Sequence, residues 1–278
     1  FYTVELTCGG MTVTGDRLDS KAEAEAIAAA CEGGTATVRA VERKEKTERP
    51  PALYDLTTLQ RDANRILGYT AQQTLDYLQA LYEKKLCTYP RTDSRYLTDD
   101  MENTVPALAS AAAMICGVSV PGAVLSAQVC DSAKVSDHHA IVPTVSAAGA
   151  DLSALPVGER EILRLVSLEV VRAVCPSHRY AETAVTVECG GHSFTAKGKT
   201  VLELGWRACV KPVKDALLPD GLAQGQGLAV EAVQVKEGRT APPRHFTEDT
   251  ILASMESAGA EDMPDDAERR GIGTPATR

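Results

Sequence analysis

The strongest constraint on the fold is a short pattern that occurs twice, once near residue 9 and again near residue 190. In both copies, Val4–Gly15 and Val185–Ala196, apolar and polar residues alternate on either side of a Gly-Gly pair. The pattern predicts a β-hairpin, because glycine supplies the positive φ that a two-residue hairpin loop requires. Either the two hairpins are unrelated, or both belong to one sheet domain that an insertion interrupts. The second interpretation is the more economical.

The sequence between the two hairpins is expected to be mainly helical. A charged connector, Val41–Pro51, ends in two prolines and predicts an exposed linker before the insertion. Apolar residues then recur at helical spacing, and in the helix expected to begin near Thr70 the buried stripe is predicted to include Leu78 and Tyr82. Four helices are expected: two that open on the capping-box pairs Thr57/Gln60 and Thr70/Gln73, an alanine-rich one at about 102–115, and one from Gly158 to about Val174.

Strand patterns return after these helices, at residues 182–188, 193–203 and 228–235, and a last helix is expected to begin near Thr247 or Glu248. The fold class predicted from this order is α+β. The order indicates a β-rich part at each end of a helical part, so the chain is expected to have three parts.

The composition of the chain excludes several classes of protein. Of 278 residues, 44% are hydrophobic and 24% charged, which fits one large folded domain or two ordinary ones. No run approaches the roughly 18 to 20 apolar residues of a membrane-spanning helix, and Phe1–Glu5 lacks a signal-peptide profile. Eight cysteines show neither a C-x-x-C pair nor metal-ligand spacing. Free thiols in the cytoplasm are therefore expected, with no metal site in this chain and no membrane partner.

The charge and the ends of the chain bear on its partners. A net charge of −9 is the wrong sign for a broad basic surface that binds duplex DNA, so any nucleic-acid contact is expected to be local. The chain begins without Met and stops inside the phrase G-I-G-T-P-A-T-R. It is therefore expected to be a piece of a larger protein.

The segment Leu86–Ser94 has the residue types that phosphoryl chemistry uses. Pro90 disfavours helical backbone at Tyr89, so Tyr89 and Arg91 are expected to lie on the same side of an extended segment. Arg91 could bind a phosphodiester through two hydrogen bonds, and Tyr89 could attack phosphorus once a nearby cation or base helps it ionise. The alternative from spacing alone is a surface tyrosine beside a solvated arginine.

A second candidate is the pair His138-His139 in the run Ser136–Thr144. Adjacent side chains point in different directions, so at most one of the two histidines is expected to line a site with Tyr89. An imidazole there could hydrogen-bond a phosphate oxygen or move a proton. The alternatives are a partly buried histidine satisfied by backbone and, less favoured by the spacing, a metal ligand.

Five motifs, in this order along the chain, resemble those of type IA DNA topoisomerases, and of the bacterial topoisomerase III branch in particular. They are L-x-x-L-Q-x-x-A-N at 56–64, T-L-D-Y-L-Q-A-L-Y-E at 74–83, T-Y-P-R-T-D-S at 88–94, H-H-A-I-V-P-T at 138–144 and G-I-G-T-P-A-T at 271–277. The resemblance covers nearly the whole chain. It implies an ATP-independent isomerase that cuts one strand of DNA reversibly and passes another strand through the gap to relax or unlink DNA.

The resemblance also implies roles for individual residues. Tyr89 matches the nucleophile that becomes linked to a 5′ phosphate of single-stranded DNA, and Arg91 matches the arginine that positions the phosphate that is cut. His138 matches a histidine that contacts the DNA backbone near the cleavage point. Residues of the same or neighbouring motifs are expected to bind DNA or support the site: Asp93, Thr92, Gln60 and Arg95.

The resemblance implies a helical gate, residues 50–175, that carries Tyr89. This gate is inserted into a discontinuous antiparallel β-rich hinge made of residues 1–49 and 176–244. Residues 245–278 are implied to be the truncated start of a DNA-binding helical domain. The family's N-terminal metal-binding domain, which supplies the Mg²⁺ site, has no counterpart in this chain. The expected partners are thus single-stranded DNA and that missing domain. Alone, the chain is expected not to cleave or relax DNA.

Two other functions are kept open. The chain could be a non-catalytic module that binds single-stranded DNA, in which case no covalent adduct forms even when the metal-binding domain is added. It could also be a nicking enzyme in which His138 and His139 hold a metal and a tyrosine is the nucleophile. That alternative predicts metal binding by the chain alone.

Overall fold

The structure, a computed structural model, describes residues 1–210, 217–259 and 271–273. The chain divides into two compact units. Unit 1 contains Phe1–Glu48, Arg179–Leu204 and Pro212–Pro243, and unit 2 contains Arg49–His178, Gly205–Lys211 and Arg244–Arg278. Helices and an antiparallel sheet both occur, so the α+β class is confirmed.

Unit 1 is built on six strands that close into a barrel in the order β1-β2-β5-β4-β3-β6. Its apolar core contains valines from four of these strands and Phe194, which is 1% exposed. A helix, α1, packs against the same core through Ala24 and Cys31. The elements are β1 (Tyr2–Cys8), β2 (Met11–Gly15), α1 (Lys21–Cys31), β3 (Thr35–Glu48), β4 (His178–Cys189), β5 (His192–Glu203) and β6 (Gly227–Glu237).

The two Gly-Gly hairpins share one sheet, as the second interpretation of the repeated pattern predicts. Strand β1 pairs with β2 across Gly9-Gly10, β4 pairs with β5 across Gly190-Gly191, and β2 pairs with β5. All four glycines have positive φ, between 55° and 83°. The two hairpins are therefore neighbours in the sheet, although about 170 residues lie between them in the sequence.

Two expectations for unit 1 are corrected. The charged connector is not a linker as far as Glu48, because residues Val41–Glu48 continue β3. Its charged side chains pair with β4, as in the ion pair between Lys46 and Glu182. The sequence analysis also gave no helix before residue 50, whereas α1 spans 11 residues. Its alanine-rich sequence has few large apolar side chains, so its helical periodicity is weak.

Unit 2 contains most of the helices, packed around two apolar clusters that share α5. Short 3-10 helices connect the longer helices along the chain. One of them, Asp99–Thr104, precedes α4, so the α-helix begins at Val105, three residues later than predicted. The longer helices are α2 (Leu56–Leu67), α3 (Ala71–Glu83), α4 (Val105–Cys116), α5 (Val157–Ala173) and α6 (Glu248–Ser257).

The caps of α2 and α3 compare differently with the prediction. The capping box of α3 is confirmed: the Thr70 side chain accepts from the backbone N–H of Gln73, and the Gln73 side chain accepts from that of Thr70. The predicted Thr57/Gln60 box is wrong, because Asp55 caps α2 instead and pairs with Thr58. The helix therefore begins two residues earlier than the sequence pattern indicated.

Helix α6 begins at the predicted place, with Thr247 as its N-cap. It is held against α2 by ion pairs from Arg61 to Asp249 and Glu256, each 3.0 Å. The rest of the predicted further domain, including most of the G-I-G-T-P-A-T motif, lies outside the described residues. In the part of the chain that the structure describes, no helix has the length and apolar character needed to cross a membrane.

Candidate active site

The candidate site begins at the turn that ends α3. Lys85 adopts φ 60° and, within the described ranges, is the one residue other than glycine with positive φ. The backbone N–H of Lys85 bonds to Tyr82 O and that of Leu86 bonds to Leu81 O, each at 2.8 Å. This is a Schellman turn with lysine at the position where glycine is usual. The turn redirects the chain into the extended segment that carries Tyr89.

The extended segment pairs with the stretch that follows the two histidines. The backbone N–H of Thr88 bonds to Val142 O at 3.0 Å, and Cys87 and Pro143 form an antiparallel bridge. The Thr88 hydroxyl accepts from the Val142 N–H at 3.0 Å and donates to Ala140 O at 3.2 Å. Two motifs that are about 50 residues apart in sequence are thereby fixed side by side.

Three aromatic rings meet at Tyr89. The ring of His138 lies 4.2 Å from that of Tyr89 between centroids, tilted by 38°. On another side the ring of Tyr82 meets Tyr89 edge-on at 5.5 Å. Tyr89 is half-buried, and its hydroxyl makes no hydrogen bond with any residue that the structure describes. The ring is thus held by packing while its oxygen is left without a protein partner.

Polar side chains after Tyr89 hold the loop that carries His138. Thr92 is 3% exposed, and its hydroxyl donates to His138 O at 2.8 Å and accepts from the Ser94 N–H at 3.1 Å. The two residues that follow it bind the same loop: Asp93 Oδ1 accepts from Ser136 Oγ at 3.0 Å, and Ser94 Oγ donates to Lys134 O at 2.8 Å. Thr92 and Asp93 therefore support the position of His138.

The residues that flank Tyr89 and His138 differ in their exposure to solvent. Arg91 is exposed and Pro90 is buried, as expected for alternate positions of an extended segment. His138 is exposed, whereas His139 Nδ1 lies 2.8 Å from Ala140 O. Of the two histidines, His138 is the one whose ring packs against Tyr89. Cys87 is 2% exposed and burial raises the pKa of its thiol to about 12, so it is not a competing nucleophile.

Gln60 and Arg95, predicted to bind DNA or support the site, make contacts within the protein. Gln60 is 5% exposed, and its side-chain amide donates to Ala71 O at 3.0 Å, which ties α2 to the start of α3. Arg95 donates to Leu53 O at 2.9 Å and to Ala52 O at 3.3 Å. Both residues support the fold of unit 2 in this conformation.

The sequence analysis did not single out Tyr82, Thr88, Ser94 or Ser136. Tyr82 was assigned to the buried stripe of α3, whereas it is 40% exposed. The signal that could have found the three hydroxyl residues is their place inside or directly beside the two motifs. Over the described residues, no group of three or more His, Cys, Asp or Glu side chains is arranged to hold a metal ion.

Comparisons with known proteins agree on one family. A family model described as DNA topoisomerase matches residues 1–278. The chain is 38% identical to DNA topoisomerase 3 of Bacillus licheniformis over 274 residues, covering 91% of this chain and 37% of that protein. It is 35% identical to DNA topoisomerase 3 of Bacillus subtilis over 308 residues, covering 100% of this chain and 42% of that protein.

A solved structure shares the fold. Full-length topoisomerase I from Thermotoga maritima superposes with a TM-score of 0.73 at 21% identity, covering 100% of this chain and 45% of that one. The chain thus spans less than half the length of each of these relatives.

Proposed function

The chain belongs to the type IA DNA topoisomerases and is similar to bacterial topoisomerase III, and from that premise we propose that Tyr89 is the nucleophile of a reversible single-strand DNA break. The observation that carries the proposal is the Tyr89 side chain, whose ring is packed by two other rings while its hydroxyl has no partner among the described residues. A tyrosine that attacks phosphorus needs a ring held in one orientation and an oxygen that the phosphate can reach.

In the proposed step, the Tyr89 oxygen bonds to phosphorus and the bond from phosphorus to the 3′ oxygen of the preceding nucleotide breaks. The phenol loses its proton and the departing 3′ oxygen gains one, so no proton is consumed overall. The product is a 5′-phosphotyrosine link and a free 3′-hydroxyl. Resealing is the reverse reaction and needs no ATP. Passage of a second strand through the gap relaxes or unlinks the DNA.

Arg91 and His138 are proposed to act on the phosphate that is cut. An exposed guanidinium two residues from Tyr89 can bind two phosphate oxygens and stabilise the charge that develops as the bond breaks. The His138 ring, 4.2 Å from Tyr89 between centroids, can donate a hydrogen bond to the DNA backbone. Thr92 and Asp93 act through His138 by fixing its loop.

The longer relatives set limits on what this chain does alone. The family's chemistry uses Mg²⁺, but no group of three or more ligand side chains in the described ranges could hold it. The described residues therefore do not form a site that fits Mg²⁺. We propose that the metal-binding part lies outside these 278 residues, that the chain alone does not cleave DNA, and that the reaction occurs in the bacterial cytoplasm.

Two other functions give different results in the same tests. A passive module for single-stranded DNA would bind oligonucleotides and form no adduct, even within the longer protein. A metal-dependent nicking enzyme would bind a metal through His138 and His139 in this chain. The contact of His139 Nδ1 with Ala140 O makes that second alternative the weaker one, because it takes up one ring nitrogen.

The proposal is tested on the longer protein that contains this chain, with Mg²⁺ and negatively supercoiled DNA. Tyr89→Phe should abolish relaxation, because the ring remains and the attacking oxygen is lost. Tyr96→Phe is the matched control and should relax DNA at the wild-type rate. Relaxation by the Tyr89→Phe protein would refute the assignment.

A further inference from the structure

A groove on unit 1 concentrates the positive charge of an acidic chain. Its volume is about 550 Å³. Four of the chain's 11 lysines line it, against two glutamates, although the whole chain carries a net charge of −9. The lysines are Lys44, Lys46, Lys197 and Lys199.

The strand register explains how the lysines converge. Lys197 and Lys199 are two apart on β5 and so share one face of the sheet, where they stand opposite Ala184 and Glu182 of β4. Lys44 and Lys46 are likewise two apart on β3, the neighbour of β4 on its other side. Each pair forms a short row, and the two rows lie about 10 Å apart, which is two strand spacings.

The lysines differ in how firmly they are already paired. Lys44 lies 3.0 Å from Glu42, with side chains that are 73% and 60% exposed. Lys46 pairs with Glu182, with side chains that are 50% and 45% exposed. Exposed pairs of this kind contribute little, so both can exchange for another anion. Lys199 lies over the Tyr180 ring at 3.7 Å. Among the described residues, neither Lys197 nor Lys199 has a carboxylate within ion-pair distance.

The geometry points to an extended nucleic-acid backbone as the occupant, and we propose that this groove of unit 1 binds a stretch of single-stranded DNA. Phosphates of an extended strand repeat at a distance close to that between alternate residues of a β-strand, so one backbone can follow β4 between the two rows. Ala184, a small residue of β4 opposite Lys197, leaves room for it. A groove about 10 Å across is too narrow for a duplex to enter.

The proposal rests on the proposed function only in taking DNA as the substrate of the protein. Its test measures binding rather than cleavage. A fluorescent oligothymidine is titrated with the 278-residue chain, and its affinity is followed by anisotropy between about 50 mM and 200 mM salt. Lys197→Gln/Lys199→Gln is compared with Lys21→Gln/Lys236→Gln, which removes the same charge elsewhere on unit 1.

Each phosphate contact on single-stranded DNA contributes about 0.7 to the slope of log affinity against log salt. Loss of two contacts should therefore make the slope shallower by about 1.4. Between about 50 mM and 200 mM salt, the variant should then lose about sevenfold less affinity than the wild type does. The control pair should keep the wild-type slope. Lys197→Arg/Lys199→Arg should also keep it, because the charge remains, and this variant separates loss of charge from damage to the strand.

Three results would overturn the proposal: no oligonucleotide binding by the wild-type chain, an equal change of slope in the control pair, or equal displacement of the oligonucleotide by a polyglutamate peptide. The last would indicate a general anion site. Tyr89→Phe in the same assay should leave the slope unchanged. A failure of the groove is thereby distinguished from a failure of the nucleophile, which shows only in the cleavage assay.

Discussion

Glu169 of α5 should make unit 2 less stable as the pH rises. Its side chain is 5% exposed, and Arg172 Nη1 lies 2.7 Å from its Oε2. Burial raises the pKa of Glu169 from 4.5 to about 7, which outweighs the lowering by Arg172. A carboxyl group with a raised pKa stabilises the fold fully below its unfolded pKa. That contribution is lost as the pH rises from about 4.5 through about 7.

The size of the effect follows from the shift. About 2.5 pKa units at 1.36 kcal/mol each give a loss of about 3 kcal/mol between pH 4.5 and pH 8. Glutamine resembles the protonated form of Glu169 and does not ionise. Glu169→Gln should therefore gain about 3 kcal/mol relative to wild type over that pH range, whatever its stability at pH 4.5.

The assay is urea unfolding followed by the fluorescence of Trp206, the single tryptophan of the chain, which is 6% exposed and belongs to unit 2. Glu25→Gln, at an exposed position on α1, is the control: it keeps Glu169, so its stability should change with pH as that of the wild type does. A difference between Glu169→Gln and wild type that stays constant from pH 4.5 to pH 8, or that changes in favour of wild type, would refute the reasoning.

Three further substitutions test the site. Lys85→Gly should stabilise unit 2 by about 0.5–1 kcal/mol in urea unfolding, because glycine removes the cost of left-handed backbone, while Lys85→Ala should bring no such gain. Thr92→Val should cost about 1–3 kcal/mol, because the His138 carbonyl loses a part-buried hydrogen bond and the Ser94 N–H a buried one; an unchanged urea midpoint would contradict this. In the longer protein, Arg91→Ala should slow DNA cleavage about 100-fold and weaken oligonucleotide binding only several-fold, whereas equal losses would count against a role at the transition state.

Much of the fold could be predicted from local sequence patterns, because turns and helix caps form through contacts between residues that are close in the sequence. The Gly-Gly turns and the Thr70/Gln73 cap depend on neighbouring residues and were found from the sequence. The extension of β3 was not, because its exposed charged residues form a strand only through cross-strand partners such as Glu182. For α2 the sequence predicted the helix but gave the wrong N-cap, because two capping patterns overlap and Asp55, not Thr57, caps the helix.

The candidate site could be predicted in part. Motifs identified Tyr89 and His138, and their contact at 4.2 Å agrees with a shared site. The supporting contacts could not be predicted, because they join the 88–94 segment to the 134–142 loop through tertiary pairing. Tyr82 was assigned to the core because helical spacing does not distinguish a buried ring from one that packs against a neighbouring loop.

The most direct test of the account is to locate the covalent bond itself. The longer protein is incubated with labelled single-stranded DNA, denatured during the reaction and digested, and the peptide that carries the nucleotide is identified by mass spectrometry. The account predicts a phosphodiester on Tyr89, with a free 3′-hydroxyl on the released fragment. A nucleotide attached to any other residue, or an adduct that persists in Tyr89→Phe, would contradict it.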